Sequence, residues 1–566
     1  MGGIHIANPT VLTFLVLTCL VAVLTYFKSK ETDKDSGKGY FMADRSLSGI
    51  VIAVSIIMTD LSAVQLIGNN GQSVRVGMGV FATQGLGCTG LMITAIFLMP
   101  RYLKAGISTI PDLYSLRFDK FTRTLLMGVM ILNYTVIMIP TALYAGAQVF
   151  LTIFDIRKYL RLSEFQTIFV IIVAISIIGT VYTVLGGLKA IAISDTIYGI
   201  GMMIGGCLVT YFGIRFLSQS GGFLDGLEKF VTTDPAMLNA WNEAGSNEPW
   251  WPWPVLFTGL TVMNVQYFGC DQAMMQRAFG AKSLEHAQKG LLYAGLLSLL
   301  TPVFLVIPGI IANFSFPGTD WVTQGDTAFP MLIAACLPKS ILGFFAACIF
   351  GAVLSTYDSM LNSASTIFAY NIYKENINPD ASEQKVVKVG KTCGIVVAVV
   401  ATVISPLLIF AQGLSTWILT ALGIFNCPIL VLTLVALYSK RAPKNIAKVM
   451  VPVHVVLYVM LCYVMPKFIG FFGKVHYLYW TFVLFFVDFG VVWIMTKKNP
   501  LKEEFELPNN PPENMDMTPW KHRKFAVLLT LLIILMIYTV FSPLGLGKSD
   551  KTTWERYQES VTGSVQ

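Results

Sequence analysis

The stretch MTDLSAVQLIGNNGQS, residues 58–73, follows directly on the apolar run LSGIVIAVSII, residues 47–57. A membrane-spanning helix needs about 20 residues, so these two stretches together predict one span. Its second half nevertheless carries Asp60 and a series of hydroxyls, amides and glycines. Such residues allow a helix to break, and the exposed backbone carbonyls can then bind a cation or a polar solute. A helix that ends near residue 70 would explain the amides but not the carboxylate, which is costly at membrane depth and therefore indicates function.

The composition of the whole chain also predicts a membrane protein. Of its 566 residues, 55% are hydrophobic and 13% are charged, whereas a soluble domain has roughly 25% charged residues. The apolar runs are too long for transmembrane β-strands, so we predict an all-α integral membrane protein with about 14 transmembrane helices. The predicted spans are residues 8–27, 48–70, 80–99, 124–154, 164–184, 191–217, 254–270, 290–312, 340–372, 389–409, 412–437, 447–465, 475–496 and 525–541.

The distribution of Lys and Arg predicts the orientation of these helices. Both residues are concentrated in alternate loops that begin with 28–47, and the loop 155–163 is the exception. Because positively charged loops face the cytoplasm, we predict that 28–47 is cytoplasmic and that both termini lie outside. We therefore expect a multi-pass protein of a cell membrane, the bacterial inner membrane, in contact with lipid. The net charge of +8 is mostly this orientation signal, and no nucleic-acid partner is expected.

A second polar stretch is GAVLSTYDSMLNSAST, residues 351–366. Four of its side chains fall at positions i, i+3, i+4 and i+7, which share one helix face. They are Ser355, Asp358, Ser359 and Asn362. Hydroxyl and carboxylate oxygens are the ligands that hard cations prefer, so this stripe predicts an ion path. Hydroxyls and small residues also pack membrane helices together, which is the alternative interpretation.

Two further spans carry polar residues. Asp195, near the start of the sixth predicted span, joins the ion path if it faces Asp358, and otherwise pairs with Lys189 at the membrane surface. Asn264 and Tyr267 in the seventh predicted span are either a wall that faces a solute or part of a packing network.

Outside the spans, aromatic and polar segments favour structural interpretations. Trp250, Trp251 and Trp253 predict an interfacial aromatic belt, and a vestibule on which a sugar stacks is the alternative.

Arg75 in a short outer loop is either an interfacial cation or a group that attracts an anionic solute. The polar, proline-rich segment 497–522 is predicted to be a cytoplasmic linker.

The motifs of common enzymes are absent from the sequence. There is no Walker A run, no HExxH, no G-x-S-x-G and no glycine-rich dinucleotide fingerprint. We therefore predict that the protein is not an enzyme. Without an ATP-binding element, any uphill transport must draw on an ion gradient.

Several segments of the chain resemble the sodium/solute symporter family, which contains the sodium/glucose and sodium/galactose cotransporters, and especially its bacterial sugar symporters. They occur in the family order and cover roughly residues 36–500. The matching segments are GYFMADRSLSG (39–49), DLSAVQLIG (60–68), GISTIPDLY (106–114), YTVLGGLKAIAISD (182–195), DQAMMQRAFGAKSLEHAQKG (271–290) and SMLNSASTIFAYNIYKE (359–375).

The resemblance implies a LeuT-type core of two inverted five-helix repeats, each with a broken helix. The first repeat would cover residues 46–217 and the second 253–437, joined by an outer loop at 218–252. An extra helix and a cytoplasmic loop (1–45) would precede this core. Three extra helices and a polar tail (438–566) would follow it.

The resemblance also implies a sodium site. Its ligands would be the carbonyls of Met58, Leu61 and Ala352 with the side chains of Ser355 and Thr356. Na⁺ is thus the expected coupling ion.

Members of the family that couple two sodium ions have a second site nearby. The implied residues of that second site are Asp195, Ser355, Asp358 and Ser359. Because these offer more oxygens than one site needs, we favour two sodium ions. Asp358 replaces a hydroxyl residue of the family, so it would either strengthen the second sodium site or bind a proton.

The implied solute site departs from the family pattern. Gln65, Asn264 and Tyr267 match the galactose transporter, whereas other polar positions are replaced. Since buried hydrogen-bond partners set specificity, we expect a sugar derivative, sugar acid or polyol rather than galactose or glucose; Asp60 would suit an amine and Arg75 an acid. The implied solute-binding residues are Asp60, Gln65, Gln84, Asn264, Tyr267 and Ser298.

We therefore predict a sodium-coupled secondary active symporter that imports a small polar organic solute, a sugar or sugar derivative, by alternating access. A proton-coupled carrier of an acidic sugar or an amine, with Asp358 as the proton site, is one alternative. A sensor that binds solute without accumulating it is the other. The sequence carries no indication of an oligomeric state.

Overall fold

The structure, a computed structural model, describes residues 8–29, 37–154, 156–157, 161–218, 221–247, 250–410 and 414–563. Throughout these ranges helices are joined by short turns and loops, and no strand forms beyond three isolated bridges. The predicted all-α fold class is confirmed. The principal helices are α1 (Pro9–Ser29), α2 (Gly49–Asp60), α3 (Ala63–Val76), α4 (Gly87–Ile93, continued by Thr94–Leu98 and Met99–Lys104), α5 (Ile110–Arg117), α6 (Lys120–Phe154), α7 (Glu164–Val184), α8 (Gly186–Leu217), α9 (Phe223–Thr232), α10 (Trp253–Phe257), α11 (Gly259–Cys270), α12 (Gln272–Phe279), α13 (Leu284–Ser298), α14 (Pro302–Ser315), α15 (Ala328–Cys336), α16 (Lys339–Ile377), α17 (Glu383–Ile409), α18 (Leu414–Tyr438), α19 (Ala447–Phe468), α20 (Tyr477–Lys498), α21 (Arg523–Val540) and α22 (Thr553–Gly563). Shorter helical turns lie at Gly37–Met42, Ala43–Arg45, Gly77–Val80, Phe81–Gly85, Pro235–Leu238, Trp321–Gln324, Gly325–Thr327 and Gly470–Lys474.

Helix lengths explain how the predicted spans are built. In the described part of the chain, 10 helices are long and apolar enough to cross a membrane, and the pair α13–α14, bent by 43°, raises the number to 11. The sequence predicts three further spans. Two of them are interrupted helices, 48–70 (α2 and α3) and 254–270 (α10 and α11), and the third, 412–437, corresponds to α18.

The first broken helix is interrupted at residues 61–62. Leu61 leaves α2 with ψ 66°, and Ser62 is extended at φ −80° and ψ 163°. The Ser62 hydroxyl accepts a hydrogen bond from the N–H of Gln65 and so caps the start of α3. The expected break is therefore present, but it lies well before the glycines and amides, through which α3 continues to Val76.

The second broken helix is interrupted at Thr258, between α10 and α11. Its backbone has φ −116° and ψ −104°, and its hydroxyl donates to the carbonyl of Pro254 at 2.9 Å. A Cβ at the next residue, Gly259, would lie 2.0 Å from the carbonyl oxygen of Leu478. Only glycine therefore allows α20 to pack this closely on the break.

Polar side chains in the amide-rich part of α3 form hydrogen bonds with the backbone of the bent pair α13–α14. The Asn70 amide donates to the carbonyl of Phe304 at 3.1 Å, and its oxygen accepts from the N–H of Gly309 at 2.8 Å. The Ser73 hydroxyl donates to the carbonyl of Val306 at 2.8 Å. Buried backbone groups at a bend need such partners. Asn70 and Ser73 therefore provide hydrogen-bond partners for backbone groups at the bend between α13 and α14.

The centre of the molecule is α16. Its residues are buried without interruption from Phe345 to Thr366. It packs against α1, α6 and the pair α7–α8. The polar face predicted for 351–366 is therefore enclosed by other helices.

The segment 499–522 crosses the loops that the sequence predicts to be cytoplasmic. Backbone N–H groups of Leu501 and Asn510 donate to the carbonyls of Arg441 and Lys104, both at 2.9 Å. The N–H of Trp520 donates to the side-chain oxygen of Gln288 at 2.9 Å. The predicted linker is thus bound along its length to the transmembrane core.

The predicted aromatic belt is wrong for two of its three residues. Trp250 and Trp251 are buried, whereas Trp253 is 45% exposed. Trp250 packs against Trp554 and Tyr557 of α22, with ring centroids 5.1 and 4.7 Å apart. Trp251 packs against His476 instead, with ring centroids 5.6 Å apart. Neither tryptophan could be assigned from the sequence, because the rings that cover them come from distant parts of the chain.

Candidate functional site

A cavity of about 160 Å³ lies between the two broken helices. Its wall is formed by both sides of the first break, by α11, and by single turns of α6, α16 and α18. The lining residues are Thr59, Asp60, Ser62, Val64, Gln65, Asn69, Thr83, Gly87, Met138, Thr141, Trp251, Leu260, Met263, Asn264, Tyr267, Phe268, Thr356, Met360, Leu422 and Asn426.

The only carboxylate among these lining residues is Asp60, the last residue of α2. Its Oδ1 accepts a hydrogen bond from Nε2 of Gln65 at 3.2 Å across the break. Asn264 on α11 also lines the cavity, and its amide donates to the carbonyl of Leu86 at 3.0 Å. That bond orients the Asn264 side chain. The structure therefore gathers four of the six predicted solute residues, with Tyr267 as the fourth.

Two residues of the cavity wall each carry a buried donor that has no hydrogen-bond partner within the described residues. The donors are Nδ2 of Asn69 and Nε1 of Trp251. An unpaired buried donor costs about 1–3 kcal/mol. These N–H groups would therefore gain from a bound solute that offers hydroxyl or carboxylate oxygens.

Of the two remaining predicted solute residues, Ser298 does not line the cavity. Ser298 is buried in α13, where its hydroxyl donates to the carbonyl of Gly295 at 2.8 Å. The side chain of Gln84 lies outside the described part of the structure. Asn426 and Thr141 also line the cavity but are not predicted from the sequence, because a single polar residue in a long apolar helix gives no periodic signal.

The first break lies against α16 at the predicted sodium residues. The N–H of Ser62 donates to the carbonyl of Asp60 at 2.7 Å, instead of to Met58 as a continuous helix would require. The Thr356 hydroxyl donates to the carbonyls of Thr59 and Ala352, both at 3.2 Å.

The second hydroxyl of this cluster belongs to Ser355. It lies 3.3 Å from the Thr59 hydroxyl. Carbonyl and hydroxyl oxygens are thus concentrated at the break, and a hard cation such as Na⁺ prefers oxygen ligands.

The residues predicted for a second sodium site also come together, but an arginine lies among them. Asp195 accepts a hydrogen bond from Ser55 at 2.6 Å. Arg277 donates to Ser55 at 2.7 Å, to Ser359, and to Asp195 at 3.5 Å. Arg277 is not predicted as a site residue from the sequence, where it counts as one more positive charge of a cytoplasmic loop.

Asp358 lies in the same buried region. It accepts a hydrogen bond from the Thr183 hydroxyl at 2.7 Å. Asp195, by contrast, does not pair with Lys189, so the interfacial interpretation of Asp195 is wrong.

A second, smaller cavity of about 20 Å³ lies beyond the first. The two share Met138, Tyr267, Leu422 and Asn426 in their walls, and the small one extends to Asn133 and Asp271. Tyr267 is thus one of four side chains that border both spaces.

Comparison with known sequences identifies the family of the chain. The sequence model of the sodium:solute symporter family matches residues 40–449. The chain belongs to this family. Sodium:solute symporters are membrane transport proteins, and the membrane-spanning helices of the chain fit that role.

Individual symporters of known sequence extend the likeness. The chain is 35% identical over 536 residues to an uncharacterized symporter, YidK, of Escherichia coli, covering 94% of this chain and 91% of that protein. It is 29% identical to a sodium/glucose cotransporter of Vibrio parahaemolyticus, covering 78% and 82% of the two chains. Human sodium/myo-inositol cotransporter 2 is 26% identical, over 77% of this chain and 67% of its own length.

The fold is shared with a symporter of solved structure. A Na⁺-coupled sialic acid symporter, captured in a substrate-bound outward-open state, superimposes with a TM-score of 0.72 at 20% identity. The match covers 88% of this chain and 99% of that chain. The LeuT-type architecture expected for the chain is therefore confirmed.

Proposed function

We propose that the protein imports a small polar organic solute, a sugar or sugar derivative, together with Na⁺ by alternating access. The observation that carries this proposal is that Thr59 and Thr356 belong both to the cavity wall and to the oxygen cluster at the break. Sodium bound by this cluster would fix the break, and the break forms one side of the solute cavity. Binding of the ion and the solute would thereby be coupled.

The sodium ligands in this proposal are those expected from the sequence. Carbonyls of Met58, Leu61 and Ala352 would meet the hydroxyls of Ser355 and Thr356. The ion would stabilise a conformation in which the cavity is open to the outside. One charge that moves through 100 mV contributes about 2.3 kcal/mol to uptake.

The solute class is inferred from the polar groups of the cavity. Asp60 would accept hydrogen bonds from hydroxyl groups, while Asn69 and Trp251 would donate to solute oxygens. The relatives named for glucose and myo-inositol support a polyhydroxylated solute for this chain. Gln65, Asn264 and Tyr267 would complete the site, with Tyr267 as the inner gate.

The placement of the chain is part of the same proposal. It would lie in the cell membrane with both termini outside, and its repeats would cover residues 46–217 and 253–437. The concentration of Lys and Arg in the alternate loops that begin with 28–47 supports this orientation.

A ligand screen by thermal unfolding tests the proposal. Purified protein is heated in sodium or potassium buffer with sugars, sugar acids, polyols and amines. A ligand that binds only the folded protein raises its unfolding temperature, so we expect one sugar-like class to stabilise the protein in sodium and much less in potassium. Equal stabilisation in both buffers would contradict sodium coupling.

A proton-coupled carrier is the second candidate, and buried Asp358 is the observation that favours it. The carboxylate lies inside the protein and accepts a hydrogen bond from Thr183. In this version uptake would be driven by a pH gradient in potassium buffer and lost in Asp358→Asn. Sodium-dependent uptake that survives this substitution would exclude it.

A further inference from the structure

The C-terminal helix α22 packs on the short segment that leads into α10. The rings of Trp554 and Tyr557 cover Trp250, and Nε1 of Trp250 donates to the hydroxyl of Thr553 at 3.0 Å. The next residue in the chain, Trp251, lines the large cavity. The helix and the cavity are therefore in contact with neighbouring residues of one segment.

The same helix also reaches the end of α3. The two helices are in contact, and Arg75 of α3 lies within electrostatic range of Tyr557. Asn69, which lines the cavity, lies about 9 Å earlier along the axis of α3. Two walls of the cavity, one with Asn69 and the other with Trp251, therefore continue toward α22.

We propose that α22 is a movable cover over the end of the solute cavity that the sequence predicts to face the outside, and that solute enters when this helix moves away from Trp250. The inference rests on the proposed function, because it concerns how a solute reaches the same cavity. It gives the predicted polar tail, which lies outside the implied two-repeat core, a part in transport.

The contacts that hold α22 in place are few and partly exposed. Arg556 donates to both carboxylate oxygens of Asp234 at 2.8 Å, but the two side chains are 44% and 27% exposed. Exposed ion pairs contribute little to stability. Trp554 is half-buried and Tyr557 is 38% exposed. Segments with few buried contacts open more easily than the core of a protein, so α22 can leave its position while the transmembrane helices stay folded.

The connection before α22 allows it to move as a unit. On one side, the N–H of Ala240 donates to the carbonyl of Phe541 at 2.8 Å and fixes the end of α21 to the loop. On the other side, the N–H of Thr552 donates to the carboxylate of Glu555 at 2.7 Å, and the N–H of Glu555 donates to the Thr552 hydroxyl at 3.2 Å. This reciprocal cap stabilises the start of α22. Residues 548–551 between these two points form no helix and provide a hinge.

Access of a thiol reagent to the cavity tests the inference without knowledge of the solute. Val64 lines the cavity, so Val64→Cys places a thiol there. Membranes are treated with a small, impermeant methanethiosulfonate on the face where Leu544→Cys reacts, because Leu544 is 91% exposed in the turn before α22. Mass spectrometry measures labelling at each cysteine. We expect Val64→Cys to react about tenfold faster when α22 is loosened by Trp554→Ala or removed by ending the chain at Ser549.

Matched controls separate release of the helix from a general loosening of the fold. Glu559→Gln removes an exposed ion pair with Lys551 inside α22 and should leave the rate unchanged. The native Cys427, fully buried in α18, should not react faster in any variant.

Two results would overturn the inference. One is an equal rate for Val64→Cys with and without the changes in α22, and the other is a rise at Cys427 as large as that at Val64→Cys. Trp554→Ala keeps the test decisive if the shortened chain does not fold. Faster labelling of Val64→Cys, combined with a ligand screen in which no compound stabilises the protein, would instead contradict the proposed function alone.

Discussion

The hydroxyl of Thr356 donates a hydrogen bond to the carbonyl of Thr59 over 3.2 Å and so joins α16 to the first broken helix. Both residues also line the large cavity. This contact and the approach of the Ser355 hydroxyl to that of Thr59 at 3.3 Å connect the predicted sodium ligands to the wall of the cavity. A substitution of Thr356 should therefore change, before any other property, the sodium concentration that the protein requires.

We expect Thr356→Ala to raise the sodium concentration for half-maximal stabilisation or uptake about tenfold. Loss of one oxygen ligand that is worth roughly 1.4 kcal/mol corresponds to this factor. Sodium titrations of uptake in proteoliposomes provide the measurement. Ser365→Ala is a matched control, because that hydroxyl donates within its own helix to Leu361 at 2.8 Å. An identical sodium dependence in Thr356→Ala, Ser355→Ala and the control would refute the site.

Asp60→Asn tests the solute cavity. The substitution keeps the size of the side chain but removes the charge that accepts the hydrogen bond from Gln65. We expect at least a tenfold loss of affinity for the compound that stabilises the parent protein, while stabilisation by sodium alone is retained. Isothermal titration with that compound measures the effect.

Ser298→Ala is the control for this experiment, because the Ser298 hydroxyl bonds within α13 and not toward the cavity. Its solute affinity should equal that of the parent protein. A loss in Ser298→Ala with none in Asp60→Asn would show that the cavity is not the solute site.

A buried histidine–aspartate pair in the C-terminal helices is expected to affect the stability of the fold but not sodium binding. His454 on α19 and Asp488 on α20 are both fully buried, with Nδ1 and Oδ2 2.8 Å apart. His454→Ala would leave the carboxylate without this partner, at a cost of about 1–3 kcal/mol. We expect a clearly lower unfolding temperature and an unchanged sodium requirement. Glu504→Gln, which removes an exposed ion pair with Arg441, should leave the unfolding temperature unchanged.

The start of α6 predicts a pH-dependent contribution to stability. Burial raises the pKa of Asp119, but hydrogen bonds from Lys448 and Thr122 outweigh it and lower the pKa below its ordinary value. A carboxylate with a lowered pKa stabilises the fold above the pKa of the unfolded chain and loses this effect as pH falls through the folded pKa.

Asp119→Ala should therefore destabilise the protein at neutral pH, by about 1 kcal/mol for loss of the helix cap. The difference from the parent protein should shrink in acid, below about pH 4. Unfolding temperatures between pH 7 and pH 3 measure it. A difference that grows toward acid pH would contradict the assignment.

The membrane fold could be predicted because hydropathy acts over some 20 residues at a time. The position of Asp60 at an internal cavity and the burial of the polar face around Ser355 could also be anticipated, since ionisable and hydroxyl side chains at membrane depth stand out against apolar neighbours. The position of the first break was not accessible. It depends on the cap formed by Ser62, whereas the glycines and amides further along are the more conspicuous helix breakers.

Contacts between distant segments account for the other differences. Arg277 is read as a surface charge until the fold brings it against Ser55 and Asp195. Trp251 is read as an interfacial residue until it is seen on the cavity wall. In each case the deciding partner lies far away in the sequence, and no local pattern records it.

Neighbouring residues of α3 have different roles, and this difference has a consequence for mutational scanning. Asn69 faces the cavity, while its neighbour Asn70 carries backbone bonds of α13–α14. In a growth assay that depends on uptake, alanine at either position would score as a loss and the two would look alike. Measured protein abundance would separate them, because only the variant at Asn70 should be degraded before it reaches the membrane.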